Sequence, residues 1–68
     1  RAEPAVPALA LALHSESKWV REAAAGALGT MPRAARNVTP ALVAASDDPE
    51  IEVRIAARKA LDRIKMLP

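Results

Sequence analysis

The feature that most constrains the fold of this chain is a match of the sequence with itself at a shift of 33 residues. The alignment needs no gap, and its matches recur at helical spacing. The shift pairs Pro7-Ala8-Leu9 with Pro40-Ala41-Leu42, Val20-Arg21 with Val53-Arg54, and Ala27-Leu28 with Ala60-Leu61. A repeat of this length predicts stacked supersecondary units, because one such unit cannot bury its apolar face alone.

Each unit is predicted to form two helices. In the first unit, the helices run over about residues 4–14 and from an N-cap at Ser17 to about Gly29. Gly29 is expected to suit the C-terminal turn of that helix, which Pro32 cannot continue. Val6, Leu9, Ala12 and Leu13 form the inward face of the first helix.

In the second unit, the helices are expected over about residues 38–46 and from Asp48-Pro49 to about Met66. Asn37 or Thr39 is the expected cap of the former, and Asp48 is the expected cap of the latter. Repeat one then spans about residues 4–32, a linker 33–37, and repeat two about 38–66. The expected inward residues of the two second helices are Val20, Ala23, Ala24, Ala27, Leu28 and Met31, and Val53, Ala56, Ala57, Ala60, Leu61 and Ile64.

Composition supports an all-helical chain. Seventeen of the 68 residues are alanine, the strongest helix former, and the only aromatic residue is Trp19. There is no cysteine, nothing in these 68 residues resembles a signal peptide, and no apolar run approaches the roughly 20 residues that a membrane span needs. The chain is therefore predicted to act without a membrane, and a cytoplasmic location is favoured.

Several motifs together resemble a pair of HEAT repeats. They are Val6-Pro7-Ala8-Leu9, Val38-Thr39-Pro40-Ala41-Leu42, Asp48-Pro49-Glu50, the two Val-Arg pairs and Ala24-x-x-Ala27-Leu28-Gly29. The resemblance covers nearly the whole chain, and the repeats are similar to the short type found in phycobilisome-lyase-like proteins and many bacterial scaffolds. It implies an all-α superhelix of two antiparallel helix pairs, in the form of a right-handed solenoid that binds other proteins.

Two positions depart from that family pattern. The family usually carries an acid at the end of the first helix, which pairs with the Val-Arg arginine across the stack. Asp47 is expected to fill this position in the second unit, whereas His14 stands there in the first. The family's glycine near the end of the second helix is Gly29 in one unit and Asp62 in the other. The ladder, meaning the family's pairing of Arg21 and Arg54 with acids across the stack, is therefore supported by an acid in only one of the two units.

Catalytic and cofactor sites are not indicated. His14 has no second histidine or cysteine with which to hold a metal, and a surface residue at a helix end explains it better. The serines and threonines fit caps and turns, because no base and orienting partner accompany them. No glycine-rich phosphate loop is present. We therefore predict a chain that is not an enzyme and has no cofactor.

The basic residues leave nucleic-acid binding open as an alternative. A phosphate-tracking face would use Arg33, Arg36, Arg58, Lys59 and Arg63. The formal net charge is only +2, and no aromatic residue lies among these bases to stack on nucleotides. Ordinary solvated helix faces are the favoured interpretation. A second alternative, implied by the resemblance, is a subunit or fragment of a chromophore lyase.

Two strips are candidates for binding a partner. An outer strip of small residues on the second helix would admit another backbone, either a ligand segment or the next layer of the same protein. The strips are Glu22, Ala25, Gly26 and Gly29 on the second helix, and Ile55, Arg58, Lys59 and Asp62 on the fourth. Trp19 is expected to point away from the core and to contact a partner or a neighbouring repeat.

The predicted function is that of a protein-interaction or scaffold module. The chain begins with Arg1 inside a patterned segment, so we expect it to be a fragment of a longer solenoid. Neighbouring repeats, another chain or self-association should then cover its remaining apolar residues. Those residues are Val6, Leu11, Ile55 and Leu67.

Overall fold

The computed structural model describes residues 5–68 as two stacked helix pairs. Its elements are α1 (Ala5–Ala12), α2 (Lys18–Gly29), α3 (Pro32–Ala35), a 3-10 turn at Arg36–Val38, α4 (Thr39–Ala45) and α5 (Ile51–Lys65). Helix α1 packs on α2, α4 packs on α5, and the most extensive contact joins α2 to α5. Residues 5–68 contain no strand. The prediction of an all-α chain is confirmed.

Helix α2 begins at the predicted N-cap, Ser17, whereas α5 does not begin at its predicted N-cap, Asp48. The Ser17 hydroxyl accepts a hydrogen bond from the Val20 N–H at 3.4 Å, which confirms the predicted N-cap of α2. Glu50 stands at the N-cap position of α5, so this helix begins after the predicted Asp48-Pro49 start. The Asp48 carboxylate instead accepts from the Glu50 N–H at 2.9 Å, closing a turn that precedes the helix.

The first half of each repeat is more irregular than predicted. Helix α1 ends at Ala12 rather than near His14, and its expected start at Pro4 lies outside the described residues. The expected linker contains α3 and the 3-10 turn. Neither Asn37 nor Thr39 caps α4: Val38 stands at its cap without a side-chain bond, and the Thr39 hydroxyl donates to the Arg36 carbonyl at 2.9 Å.

The core lies between the two helix pairs and is narrow. Its largest fully buried side chains are Leu28, Leu42 and Val53. Alanines fill most of the remaining volume, so the axes of α2 and α5 can approach closely. The expected inward face of α1 is confirmed, since Val6 and Leu13 are buried and Leu9 and Ala12 pack against the core. Val6 is already buried, so the expectation that another repeat or chain must cover it is wrong.

Helix α2 is rotated relative to the inward face predicted for it. Ala24 and Leu28 are buried as expected, but Val20 is 44% exposed and Ala23 is exposed. Ala25 and Gly29, which we assigned to an exposed strip, are buried. The reason is that α2 contacts a core on one side and α5 on another, so its buried surface is wider than a single stripe.

Gly29 has a packing role rather than a conformational one. No residue within 5–68 has a positive φ, and Thr30 ends α2 in right-handed helical geometry. A Cβ at Gly29 would lie 3.5 Å from the Cα and Cβ of Ala60. Helix α2 therefore ends at Gly29 as predicted, but without a left-handed turn glycine, and Gly29 packs within ordinary van der Waals range of α5.

Candidate interaction surfaces

Arg21 joins the two repeats through a two-pronged ion pair with Asp48. Its Nε donates to Oδ2 of Asp48 at 2.8 Å, and its Nη2 donates to Oδ1 at 3.2 Å. The arginine side chain is only 14% exposed and the aspartate side chain 8%. Two parallel charge-assisted bonds with little water around them form the strongest polar contact between the repeats.

Arg21 also holds the turn in front of its own helix. Its Nη1 donates to the carbonyl oxygens of Ser15 and Glu16 at 2.8 and 3.0 Å. Arg54 repeats this arrangement, because its Nη1 donates to the carbonyl oxygens of Asp48 and Pro49 at 2.8 and 3.1 Å. Within residues 5–68, no carboxylate pairs with Arg54.

The acid of the predicted ladder is one residue later than expected. Asp47 is exposed, and Asp48 is the partner of Arg21. The counterpart of Asp48 in repeat one is Ser15 rather than His14. Ser15 closes its turn in the same way, since its hydroxyl accepts from the Ser17 N–H at 3.1 Å, but it carries no charge.

Hydrogen bonds from Arg21 and the Glu50 N–H lower the pKa of the Asp48 carboxyl below its usual value of 3.8. The Arg21 guanidinium is the larger cause, and burial opposes it. The carboxylate is therefore ionised at neutral pH, as the two-pronged pair requires.

Both ends of α2 are held by side chains of the second repeat. At the beginning, the Lys18 ammonium lies 3.6 Å from a Glu50 oxygen and 3.5 Å from a Glu52 oxygen. At the end, Nη1 of Arg63 donates to the Gly29 carbonyl oxygen at 3.0 Å. A cation at this end satisfies an orphan carbonyl and suits the helix dipole.

One side of α2 is left uncovered within residues 5–68. We call it the α2 face, and it consists of Trp19, Val20, Ala23, Gly26, Ala27 and Thr30. Trp19 is 65% exposed, with the Lys18 ammonium 4.7 Å from its ring centroid. At 3.6 residues per turn, Ala23 points almost opposite to Arg21 and Ala25, which face the second repeat. The exposed tryptophan agrees with its predicted orientation away from the core.

A second surface lies on the far side of α5. We call it the α5 face, and it consists of Ile51, Arg54, Ile55, Arg58 and Asp62. These are the counterparts, 33 residues on, of Lys18, Arg21, Glu22, Ala25 and Gly29. Ile51 and Ile55 are exposed, as are Arg58 and Asp62. The α5 face therefore corresponds to the side of α2 that repeat two covers.

The structure brings the predicted partner-binding residues onto different surfaces. Ile55, Arg58, Lys59 and Asp62 are exposed on α5, and Trp19 and Gly26 are exposed on α2. Glu22 is half-buried. Ala25 and Gly29 lie at the α2–α5 contact. Their strip is therefore covered by α5, the next layer of the same protein, and not by a ligand segment. Whether the exposed residues bind a partner stays a prediction.

The sequence interpretation missed Lys18, Glu52 and Arg63, which all make contacts between repeats. The signal that identifies them is their mismatch at the 33-residue shift, where their counterparts are Ile51, Trp19 and Thr30. Contacts between repeats need complementary residues on two different units. A comparison that looks for identity between the units passes over them.

The remaining candidate chemistry stays dispersed. His14 is exposed, and residues 5–68 contain no group of three or more His, Asp or Glu side chains that could hold a metal ion. Of the five predicted phosphate-tracking bases, Arg63 is bonded to Gly29, while Arg33, Arg36, Arg58 and Lys59 are exposed. No helix in the described part of the chain is long and apolar enough to cross a membrane.

Comparison with known proteins gives one result. A family model described as HEAT repeats matches residues 2–67, nearly the whole chain. No curated protein and no solved structure matches. The match supports the family resemblance inferred from the motifs, and it does not address the phycobilisome-lyase-like type, which stays a prediction.

Proposed function

The chain belongs to the HEAT-repeat family, and from this membership we propose that it is a non-enzymatic module that binds other proteins or scaffolds them. HEAT repeats generally mediate protein–protein interaction, and the family is typically not enzymatic. The finer proposal concerns where the binding occurs. It places binding on the α2 face, the α5 face or both.

The observation that supports this proposal is the contrast between Val20 and Val53. They occupy equivalent positions in the two repeats, yet Val53 is fully buried and Val20 is 44% exposed. Val53 is part of a core cluster to which both repeats contribute, and nothing within residues 5–68 covers Val20 to the same extent. An apolar surface that is an interface in one repeat and uncovered in the other fits a binding site for a helical partner.

Further HEAT-like repeats would fit either face, as would a separate chain. We propose that the two repeats act as part of a longer solenoid, in which adjoining repeats or a partner complete the stack. The α5 face adds Arg54, whose turn-closing bonds match those of Arg21. A carboxylate on the adjoining surface would complete the pair that Asp48 makes with Arg21.

Nucleic-acid binding and chromophore-lyase activity are not favoured by any contact in the structure. A duplex titration at low and moderate salt is expected to show no binding. Loss of duplex binding in Arg58→Glu, with salt-dependent affinity in the wild type, would argue for the nucleic-acid alternative instead.

Affinity capture with matched variants tests the interaction function. The immobilised chain should retain a protein that is lost with Trp19→Glu or Ile51→Glu and kept with Lys65→Glu, which changes an exposed residue at the end of α5. Each variant is first checked for native helicity by circular dichroism. A retained protein that is indifferent to both face variants would contradict the proposal.

A further inference from the structure

The charges of the chain are divided between two ends of the molecule. Helices α2 and α5 run parallel, because Lys18 meets Glu52 at their beginnings and the Gly29 carbonyl meets Arg63 at their ends. Every ion pair in the described part of the chain lies at the beginning end. Residues 23–46, which run from the middle of α2 through α3 and α4, hold no acid. The end at which α2 and α5 terminate is therefore basic.

Four bases line one edge of that end, which we call the basic edge. It consists of Arg33, Arg36, Lys59, Arg63 and Met66. Lys59 and Arg63 stand one turn apart on the side of α5 next to α2, since Arg63 bonds to the Gly29 carbonyl. Arg33 and Arg36 stand three residues apart at α3, which packs against both α2 and α5. All four bases are exposed, and no carboxylate of the described residues pairs with them.

The other charges of this end lie off the basic edge. Lys65 comes two residues after Arg63 and so points to roughly the opposite side of α5. Asp62 belongs to the α5 face. Glu52 shares the side of Lys59, but it lies seven residues earlier, about 10 Å back along the helix, where it is engaged with α2. The basic edge is thus a surface of one sign.

Helix stability does not explain these four bases. A cation in the last turn suits the helix dipole, which accounts for Arg63, but Lys59 lies before the last turn of α5 and beyond that effect. Helix α3 has only four residues and a correspondingly small dipole. Like charges three or four residues apart destabilise a helix, and both pairs on the basic edge have this spacing. A bound anionic partner would relieve the repulsion.

The exposed Met66 distinguishes between anionic partners. It follows Arg63 by three residues on the same side of α5, and at 81% it is the most exposed large apolar side chain in the described part of the chain. A phosphate backbone offers no apolar group to such a side chain, whereas a protein segment can place an apolar residue beside its carboxylates. Methionine and arginine are both enriched at protein–protein interfaces.

Nucleic acid is the less suitable partner for two further reasons. Four bases are fewer than the roughly six to ten phosphate contacts that give strong backbone binding. Single strands are held by aromatic residues on which bases stack, and the only aromatic residue, Trp19, lies at the beginning of α2, away from the basic edge. Three of the four bases are arginines, whose planar fork suits a carboxylate, as the pair of Arg21 with Asp48 illustrates.

We propose that the basic edge binds an acidic segment of another protein, rich in aspartate and glutamate and containing apolar residues. Carboxylates of the segment pair with the arginines, and an apolar side chain covers Met66. The bases are spread along an edge rather than converging on one point, so the ligand is a segment with several carboxylates rather than a single acid. This inference goes beyond the proposed function, because the basic edge is separate from the α2 face and the α5 face.

A short fluorescein-labelled peptide rich in glutamate and containing leucine is the probe, and the same peptide with serine in place of leucine is its control. Fluorescence anisotropy with the intact chain should show binding of the leucine peptide that weakens by about tenfold between low and physiological salt. The serine peptide should bind about threefold less tightly. No binding of the leucine peptide at low salt would overturn the proposal, as would tighter binding of single-stranded DNA of the same charge.

Two charge reversals at the same end of the molecule test the position of the site. Arg36→Glu lies on the basic edge and should weaken binding of the leucine peptide by about fivefold or more. Lys65→Glu makes the same change of charge off the edge and should alter binding by less than about twofold. Both side chains are exposed, so neither change disturbs the core, and circular dichroism checks the fold. Equal effects would show attraction to net charge alone and overturn the proposal.

Met66→Ser tests the apolar part of the surface. It should weaken binding of the leucine peptide by about threefold and leave binding of the serine peptide unchanged. Equal affinity of Met66→Ser and the wild type for the leucine peptide would overturn the assignment of Met66 to the site.

Trp19→Glu and Ile51→Glu separate this inference from the proposed function. They alter the α2 face and the α5 face, and they should leave peptide binding within about twofold of the wild type. If affinity capture depends on these residues but the peptide does not bind, the basic edge fails and the proposed function stands. Peptide binding that is lost with Trp19→Glu and kept with Arg36→Glu would overturn the inference.

Discussion

Arg21 and Arg54 stand at equivalent positions in the two repeats, and they differ in one respect. Each donates through Nη1 to two backbone carbonyls in the turn before its helix, at matching distances. Within residues 5–68, only Arg21 also meets a carboxylate. The closing of the turn is therefore a property of a single repeat, whereas the ion pair is a property of two stacked repeats. One residue type at one position has a local role and an inter-repeat role, and the two roles are separable.

Removing each arginine should give unequal losses. Arg21→Ala removes the two carbonyl bonds and leaves the nearly buried Asp48 carboxylate with the Glu50 N–H but no cation, and it should lower the free energy of unfolding by about 2–4 kcal/mol. Arg54→Ala removes only the two carbonyl bonds, and its cost should be about 1 kcal/mol. Urea denaturation followed by circular dichroism measures both. If the alanine variant does not fold, Arg21→Lys replaces it, because lysine keeps the charge but not the two-pronged geometry. Equal losses at Arg21 and Arg54 would contradict the separation of a local role from an inter-repeat role.

The two valines test the same contrast in the core. Val53→Ala opens a cavity between the repeats and should cost about 1.5–2.5 kcal/mol. Val20→Ala removes methyl groups that are already 44% exposed, and its cost should stay below about 0.5 kcal/mol in the monomer. Thermal melts of the two variants provide the comparison. A similar loss at both sites would mean that the α2 face is covered.

Acid should weaken the repeat junction through Asp48. Because its folded-state pKa lies below the ordinary 3.8, the unfolded chain binds the proton more readily. The stability from the pair is fully present above the ordinary pKa and is lost as the pH falls through the lower, folded-state pKa. Stability measured against pH should therefore fall less steeply below about pH 4 in Asp48→Asn than in the wild type. Asp47→Asn, at an exposed neighbour, should follow the wild-type profile.

The two glycines of α2 lie on different sides of the helix and should respond differently to alanine. Gly26→Ala should raise the free energy of unfolding by about 0.5–1 kcal/mol, since its Cβ enters open space and helix propensity improves. Gly29→Ala should gain by packing instead, because a Cβ there would lie at ordinary van der Waals distance, 3.5 Å, from Ala60 and the Arg63 guanidinium. Thermal denaturation measures both gains. A loss of stability in Gly29→Ala would show that the α2–α5 contact has no room for a methyl group.

The repeat in the sequence was sufficient to predict the helix pairs and most of the buried residues of α5. It failed for α2 because the two repeats were assigned one shared inward face. Val53 is fully buried in a core cluster to which both repeats contribute, whereas Val20 is 44% exposed within residues 5–68. Identical residues can therefore lie in different environments at different positions in a stack.

The candidate surfaces were only partly predictable. Trp19 is exposed as expected, but the reason given for it, burial of the neighbouring Val20, is wrong. Ile55, Arg58, Lys59 and Asp62 are exposed as expected. Burial of Ala25 and Gly29 could not be read from one helix, because it depends on where α5 lies. Asp48 was interpreted as a helix cap. Its pairing with Arg21 was missed because that pairing gives no separate signal in the sequence.

The attachment of α2 at both its ends has a consequence for how the chain opens. Lys18 and Arg21 join its beginning to the second repeat, and the bond from Arg63 joins its end. Opening α2 therefore disrupts α5 at the same time, so the cooperative unit crosses the repeat boundary. Amide protons of α2 and α5 should exchange with a common opening free energy, and those at the end of α2 should be protected although helix ends usually fray. The unit of sequence duplication is one repeat, whereas we expect the unit of folding to be α2 together with α5.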